Sequence, residues 1–544
     1  MPHQGHASPK ASSPSTTAAT AGVPSEDQGQ SQGPQVNQRS PLLGPLPRSR
    51  TPFLHTVGHD SLQVGDDHDE STIAVTGGAQ QALATPSIWT WRRVRSFFTT
   101  LHLLTGAGIV YLFSSYATQL RDKLGYSQLQ VAMLASSGNL GLYLSGPIIG
   151  LLVDRHGPRP VACLATVFMF IAFASITYTY AATDAVRGPP VTPLTLSLYY
   201  FLLGCGSSGI TLSSVSLNVR SFPPAIRGFA VGVPVSFYGL SAFLFVQVKQ
   251  AWFVTEGHGG MQGFLTFITA FLAVSVVVAA CGMFEVPYQQ QSANNVSAIV
   301  IAEESHTSLP SYASLANPDI DTGLYTFFRR IRSYLLILTF FLAAGTGLMV
   351  IGNIGAVILA LSPASSSSTD PDVQLAQATQ VAVLSIFNAL GRVVSGMGSD
   401  ATGHTSRPWW LVASLALMSC ATGLVAAGNV AWLTASTAVI GYGYGTLWSL
   451  CPSIVAEWVD PLKFGSVWGF MTCVPALSQQ VTNTLFGALY DAHRVREESG
   501  LVGECRGIEC FREAYLVTMA MCLVGTACAL ALAMGWGTRT KLNR

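Results

Sequence analysis

The sequence predicts an all-α polytopic membrane protein with twelve transmembrane helices in two six-helix halves. Three observations predict it. Apolar residues make up 49% of the chain and charged ones only 10%, against about a quarter charged in soluble globular proteins. Twelve apolar runs follow one another, each of about twenty residues or more, which at roughly 1.5 Å rise per residue is enough to cross a hydrocarbon core about 30 Å thick. Finally, G-x3-D-x2-G closes one run in each half. It reads Gly150, Asp154 and Gly157 in GLLVDRHGPRP, then Gly396, Asp400 and Gly403 in NALGRVVSGMGSDATG.

Taken in order, residues 1–90 are rich in Ser, Pro, Gln, Gly and Thr and poor in aromatics. Too little apolar area is available to offset chain entropy, so this segment reads as a disordered cytosolic tail. An N-terminal bundle over 91–285 holds runs at 97–119, 129–152, 160–182, 193–217, 228–249 and 261–284. A polar interval over 286–333 reads as a cytosolic central loop. The C-terminal bundle, 334–544, holds runs at 334–361, 376–399, 408–428, 431–456, 464–490 and 513–537. Helices are required because an open chain in lipid satisfies its backbone polar groups only that way. No apolar targeting segment precedes the first run, which is expected to act as the signal itself.

Basic residues set the expected orientation. With the N-terminus inside, the inner segments carry fifteen Lys and Arg near the runs, from Arg92 through Arg155, Arg220 and Arg407 to Arg544, and the outer ones eight. Both termini are therefore expected in the cytosol, and the Asn295 glycosylation sequon with them. Glycine pairs support a duplication. Gly106-x-Gly108 answers Gly345-x-Gly347, and Gly204-x-Gly206 answers Gly441-x-Gly443. With Gly150 and Gly396, the offsets are 239, 237 and 246 residues. In lipid, glycine pairs suit close helix approach.

Composition also excludes. Basic residues number 28 and acidic ones 27, so no net field attracts nucleic acid. Eight of the ten cysteines fall inside apolar runs without metal-ligand spacing. Cys505 and Cys510 share a polar outer loop, and their separation permits a small disulfide under oxidising conditions. Gly204 to Gly209 matches G-x-G-x-x-G inside an apolar run with no preceding strand, so it reads as packing. No G-x-S-x-G, H-E-x-x-H or Walker A pattern appears, and neither an enzyme nor a cofactor is expected.

The candidate site lies beside the second motif. Arg392 stands two helical turns before Asp400, roughly 12 Å deeper in the membrane, where an unpaired guanidinium is costly and usually functional. Asn388 is one turn away on the same face. His102, Tyr111 and Ser115 on the first run and Asn353 on the seventh are further polar groups expected near a central cleft. The opposing reading gives Arg392 to the gate, snorkelling or paired with Asp400, and gives the other groups to helix packing.

GLLVDRHGPRP, between the second and third runs, resembles the signature loop of the major facilitator superfamily. That resemblance implies two bundles rocking about a midplane site. Gly150, Asp154, Arg155, Gly157 and Arg159, with Gly396, Asp400 and Gly403, would then latch one face. GIVYLFSSYATQL, SGPIIGLLVDRHG, NALGRVVSGMGSD and GYGTLWSLCPSIVAEWVDPLKFGSVWGF carry a closer resemblance to fungal homologues of monocarboxylate transporters of the vacuolar membrane. More distantly, they resemble nodulin-like and oxalate/formate carriers. In true monocarboxylate carriers an arginine on the eighth span works with an aspartate one turn earlier and a lysine on the first span. Arg392 matches the arginine, but Asn388 stands at the aspartate position and Ser115 at the lysine position. The expected protein is thus a monomeric carrier in the lipid bilayer moving a small organic solute, with an anion held by Arg392 the leading case. A non-transporting sensor or tether, and a carrier of a neutral or cationic nutrient, are the rivals.

Overall fold

Each of the twelve predicted runs is helical in the computed structural model, which describes residues 89–183, 191–255, 259–286, 323–363, 370–428, 430–493 and 505–535. Almost all of the expected tail and central loop, and Asn295, lie outside the described residues. In the first half, α1 is Trp91–Ala107, continued by a 3-10 stretch Gly108–Ser115; α2 is Gln128–Leu144 followed by Gly146–His156; α3 is Pro158–Ala182. Next come α4 (Pro193–Ser221), α5 (Arg227–Val248) and α6 (Gly260–Gly282). The second half runs α7 (Ile331–Leu361), α8 (Pro371–Ala401), α9 (Arg407–Ala426), α10 (Val430–Trp458), α11 (Phe464–Met471, then Cys473–Ala492) and α12 (Glu509–Ala533).

Among the described residues, nine of these helices are long and apolar enough to cross a membrane, and α2 makes a tenth when its two pieces, bent by 41°, count as one span. The other two, α10 and α11, trade apolarity for close contact. Ser449, Ser453 and Thr446 of α10 and Ser478 and Thr482 of α11 are all fully buried against neighbouring helices. Small polar residues let helices approach where lipid offers no hydrophobic drive to pair them.

The two halves repeat one packing scheme. In the first, α2 and α3 lie along α4, α3 along α6, and α1 along α5 and α6; in the second, α8 and α9 lie along α10, α9 along α12, and α7 along α11 and α12. Each half keeps its own apolar core. Leu103, Phe173 and Phe264 belong to the first core, and Met349, Met418 and Tyr515 to the second. A third cluster joins the halves, with Leu212 and Val231 packed beside Phe340, Leu450 and Trp468. Across the seam α5 runs against α8, and the second piece of α2 against the first piece of α11.

The breaks in α2 and α11 face one another. A Cβ at Gly146 would lie 2.2 Å from Thr472 Oγ1 and 2.6 Å from the Gly469 carbonyl, so only glycine admits this approach. Pro147, in the first turn after the break, has no N–H to continue the preceding ladder. Gly157 and Gly403, which close the two motifs, have φ of 83° and 89°, left-handed values that favour glycine.

Helix contact within the second half is equally close: a Cβ at Gly445 would fall 2.0 Å from the Asn388 carbonyl, whereas Gly487 has nothing within 4 Å. Gly445→Val is therefore expected to lower the thermal midpoint of the purified protein by an overpacking cost of about 1–3 kcal/mol. Gly487→Ala should leave that midpoint unchanged or raised. Size-exclusion profiles recorded over a temperature series distinguish the two outcomes.

Candidate functional site

The two aspartates of the repeated motif occupy matching positions. Asp154 accepts from the backbone N–H groups of Gly465 (2.8 Å) and Ser466 (2.7 Å) at the start of α11. Asp400 accepts from those of Gly228 (3.0 Å) and Phe229 (2.7 Å) at the start of α5. A helix N-terminus presents unpaired N–H groups and a partial positive charge, so a carboxylate there is doubly favoured. Each cap crosses from one half to the other. Glycine is needed at the receiving helix, because a Cβ at Gly465 would meet Asp154 at 2.6 Å and one at Gly228 would meet Asp400 at 2.7 Å.

An arginine backs each cap. Arg220, at the end of α4, reaches Asp154 at 3.3 Å and Glu285 at 3.1 Å, and donates to the carbonyl of Pro461 at 3.1 Å. Arg407, opening α9, reaches Asp400 at 2.7 Å, pairs with Glu457, and donates to the carbonyl of Pro224 at 3.0 Å. Glu457 is thus held by Arg407. Arg227 completes the layer with a 2.9 Å bond to the Ala456 carbonyl. This end of the molecule is its basic face.

Deeper in the bundle, Arg392 is only 3% exposed. Its Nε donates to Asn388 Oδ1 at 3.2 Å, and its Nη1 donates to the backbone carbonyl of Val235 on α5, in the other half. No carboxylate pairs with it among the described residues. Three tyrosines stand within electrostatic reach: Tyr111 of α1, Tyr238 of α5 and Tyr444 of α10. Tyr111 shares a 3.2 Å hydrogen bond with the hydroxyl of Tyr143 on α2, and its ring meets that of Tyr238 edge-on at 5.7 Å. Although enclosed by these helices, Tyr111 is 38% exposed. Tyr444 beside the arginine is only 4% exposed.

The structure brings together Arg392 and Asn388, with Tyr111 beside them. It joins the other three sequence candidates to different partners. His102 Nε2 bonds Ser275 Oγ at 2.9 Å and its ring rests on Phe271, so it belongs to the α1–α6 contact. Ser115 donates to its own helix at Leu112, and its carbonyl accepts from Lys249. Asn353 donates to Asn483 of α11 at 2.9 Å. Within the motif loops, Arg155 is exposed, and Arg159 donates to the Ala280 carbonyl at 2.9 Å and lies over Phe284. Gly150 and Gly396 are close seam contacts, 2.1 Å and 2.5 Å from the facing carbonyls of Gly465 and Gly228 for an added Cβ.

Cys505 and Cys510 are disulfide-bonded, their Cα atoms 5.9 Å apart. The loop between them docks on the end of α7, where Gly507 N–H donates to Ala360 at 2.8 Å and Arg506 to Leu359 at 2.6 Å. Sequence reasoning did not find Tyr143, Tyr238, Tyr444, or the roles of Arg220 and Arg407. The arginines were visible only as charges near run ends, and the tyrosines carried no signal that set them apart.

Two like halves, capped across their seam and meeting beside a buried cation, define the class: a polytopic membrane protein of the major facilitator fold. A family model described as Nodulin-like matches residues 93–318, and one described as the NFD4 C-terminal domain matches residues 320–541. The "Probable transporter MCH1" of Wickerhamomyces anomalus is 25% identical over 436 residues, covering 78% of this chain and 84% of that protein. Its namesake from Saccharomyces cerevisiae is 22% identical over 449 residues, covering 79% and 90%. Among solved structures, the E. coli fucose:proton symporter FucP (N162A) aligns with TM-score 0.56 at 12% identity, covering 80% of this chain and 97% of that one. The proton:xylose symporter XylE aligns with TM-score 0.57 at 16% identity, covering 81% and 96%. The human organic anion transporter MFSD10 aligns with TM-score 0.53 at 14% identity, covering 81% and 100%. The chain thus has the major facilitator fold, is matched by two family models in succession, and is similar to the fungal MCH1-type probable transporters.

Loss of one cap loosens the basic face. A cysteine placed at Val459, which is buried in the cluster joining the halves, should react about tenfold faster with a maleimide when Asp400 is replaced by Asn, since a hydrogen bond to a charged group is worth about 1.5–3 kcal/mol. Equal rates in the two backgrounds would show that the cap does not hold this face.

Proposed function

We propose that the protein is a secondary transporter that carries a small organic anion by alternating access, with Arg392 receiving its carboxylate. The observation that carries the reading is the burial of Arg392 without a carboxylate partner among the described residues, beside the partly exposed Tyr111. A buried guanidinium left uncompensated is costly, and an anionic substrate supplies the missing charge in a geometry that matches the planar fork. Asn388 orients the guanidinium through Nε, and the neutral tyrosines add hydroxyl donors around it. The paired aspartate caps act as the latch of the basic face, with Gly150, Gly157, Gly396 and Gly403 permitting its close approach and turns.

The setting we propose is the vacuolar membrane, with both termini cytosolic and the chain a monomer that is not an enzyme and binds no nucleic acid. Supporting the orientation is the excess of fifteen basic residues over eight on the inner segments. Supporting the compartment is the resemblance to fungal vacuolar homologues. The disulfide loop suits an oxidising space opposite the basic face.

Uptake of radiolabelled acetate, L-lactate and benzoate into reconstituted vesicles tests the substrate class. Arg392→Ala is expected to lower uptake of the transported anion about a hundredfold, the loss of a charge-assisted bidentate contact worth about 3 kcal/mol. Saturable transport of a neutral solute that survives Arg392→Gln would favour a nutrient carrier instead. No saturable flux of any solute would favour a sensor.

A further inference from the structure

Arg392 is fixed by a neighbour that carries no side chain. Val235 and Gly239 lie one turn apart on α5, and the carbonyl of Val235 accepts from Arg392 Nη1. A Cβ on Gly239 would stand 3.1 Å from Arg392 Cζ, 3.1 Å from Nη1 and 3.3 Å from Nη2. Those near-equal distances put Gly239 against the flat face of the guanidinium, because a group at its edge would sit nearer the nitrogens than the carbon. Gly239 is thus a slot in α5 that lets an arginine of the opposite half lie flat on the helix and reach its backbone. With Nε on Asn388 and one N–H of Nη1 on Val235, Nη2 and the second N–H of Nη1 are left without a protein partner among the described residues.

We propose that the Val235 carbonyl and the substrate carboxylate compete for Arg392, with Gly239 as the positioning residue that makes the competition possible. The inference rests on the anion reading of Arg392 given above. An anion meets Nη2 first. The second N–H of Nη1 completes the fork, and the negative charge draws the guanidinium toward the anion and away from the neutral Val235 carbonyl, since a charged acceptor bonds about twice as strongly. The bond given up joins α8 to α5 and therefore one half to the other. Anion binding in this way removes a cross-seam tie, so that occupancy of the site and freedom of the halves to move are coupled through one side chain. The specificity that follows is for an acceptor that is planar and charged, since a single hydroxyl cannot replace the carbonyl at a profit.

The test is Gly239→Ala in purified full-length protein, with Kd measured calorimetrically for acetate, L-lactate and benzoate. An added methyl group pushes the guanidinium off α5 and weakens its bond to Val235, so the anion no longer has to displace that bond. Binding should tighten about tenfold. A glycine that served packing alone would give unchanged or weaker binding, and either result overturns the proposal while leaving the Arg392 reading in place. No binding of any of the three anions to the wild type overturns the reading and the inference together. Should Gly239→Ala not fold, infrared difference spectra of protein labelled with 1-13C-valine decide the matter, with Val235→Ile as the blank. Saturating anion must shift the Val235 carbonyl band to higher frequency, as loss of a hydrogen bond requires, and no shift rejects the competition.

Discussion

The structure depends on two carboxylates, each placed at the first turn of a helix belonging to the other half. Burying an ion costs several kcal/mol unless its lone pairs are met. Asp154 and Asp400 each accept two backbone N–H groups and face an arginine, so both are paid for in the closed arrangement. Every one of these contacts has a matching penalty on opening, because a helix start and a carboxylate would be separated together. The glycines follow from the caps. A side chain at Gly465 or Gly228 would hold the carboxylate away from the N–H groups it must reach.

The same logic explains what was legible in the sequence. The caps use residues of one short segment, Gly, Asp and Gly at fixed spacing, so both copies could be read and paired by eye. Arg407 stands seven residues after Asp400, but Arg220 lies 66 residues beyond Asp154, and no local pattern announces that second partnership. Length and apolarity located the runs well, yet the breaks at Ser145 and Thr472 were missed, since both follow from contact between two distant helices. Face selection was the hardest step. In a soluble helix the apolar stripe marks the core, but here lipid and protein interior are equally apolar, and no periodicity says whether Tyr238 looks inward or outward. His102 and Asn353 show the converse. Each is a polar group at mid-membrane, yet each is satisfied by Ser275 or Asn483 on a neighbouring helix of its own half.

The arginine also bears on how transport would be coupled. In the proposed cycle the substrate brings the negative charge that the site lacks, and the groups around Arg392 are an amide and phenols rather than carboxylates. None of them changes charge near neutral pH at its ordinary pKa. His102, the titratable group of the first span nearest in sequence to Tyr111, is engaged with Ser275 and packed at a tilt against Phe271. Proton coupling through the arginine site therefore has no obvious carrier among the described residues, and exchange or facilitated movement of the anion is the simpler scheme for the proposed function.

The latch and the arginine are connected because they lie on one line of α5. Gly228 meets Gly396 and Asp400, Gly232 meets the carbonyl of Arg392, Val235 accepts from its side chain and Gly239 lies beneath it. Steps of four, three and four residues keep all of these on one helix face. The other seam is built alike up to a point. Gly465 meets Gly150 and Asp154, and Gly469 and Thr472 meet Gly146. At the motif offset of 246 residues, however, the counterpart of Arg392 is Gly146, where α2 breaks. Duplication supplied two equivalent seams. Above its cap, one closed over small residues, and the other placed a cation against the backbone of the opposite half, so that among the described residues the α5–α8 seam carries a buried arginine beyond its cap. A displacement along that single helix face would be felt at both, which is the physical basis for linking substrate at Arg392 to closure at Asp400.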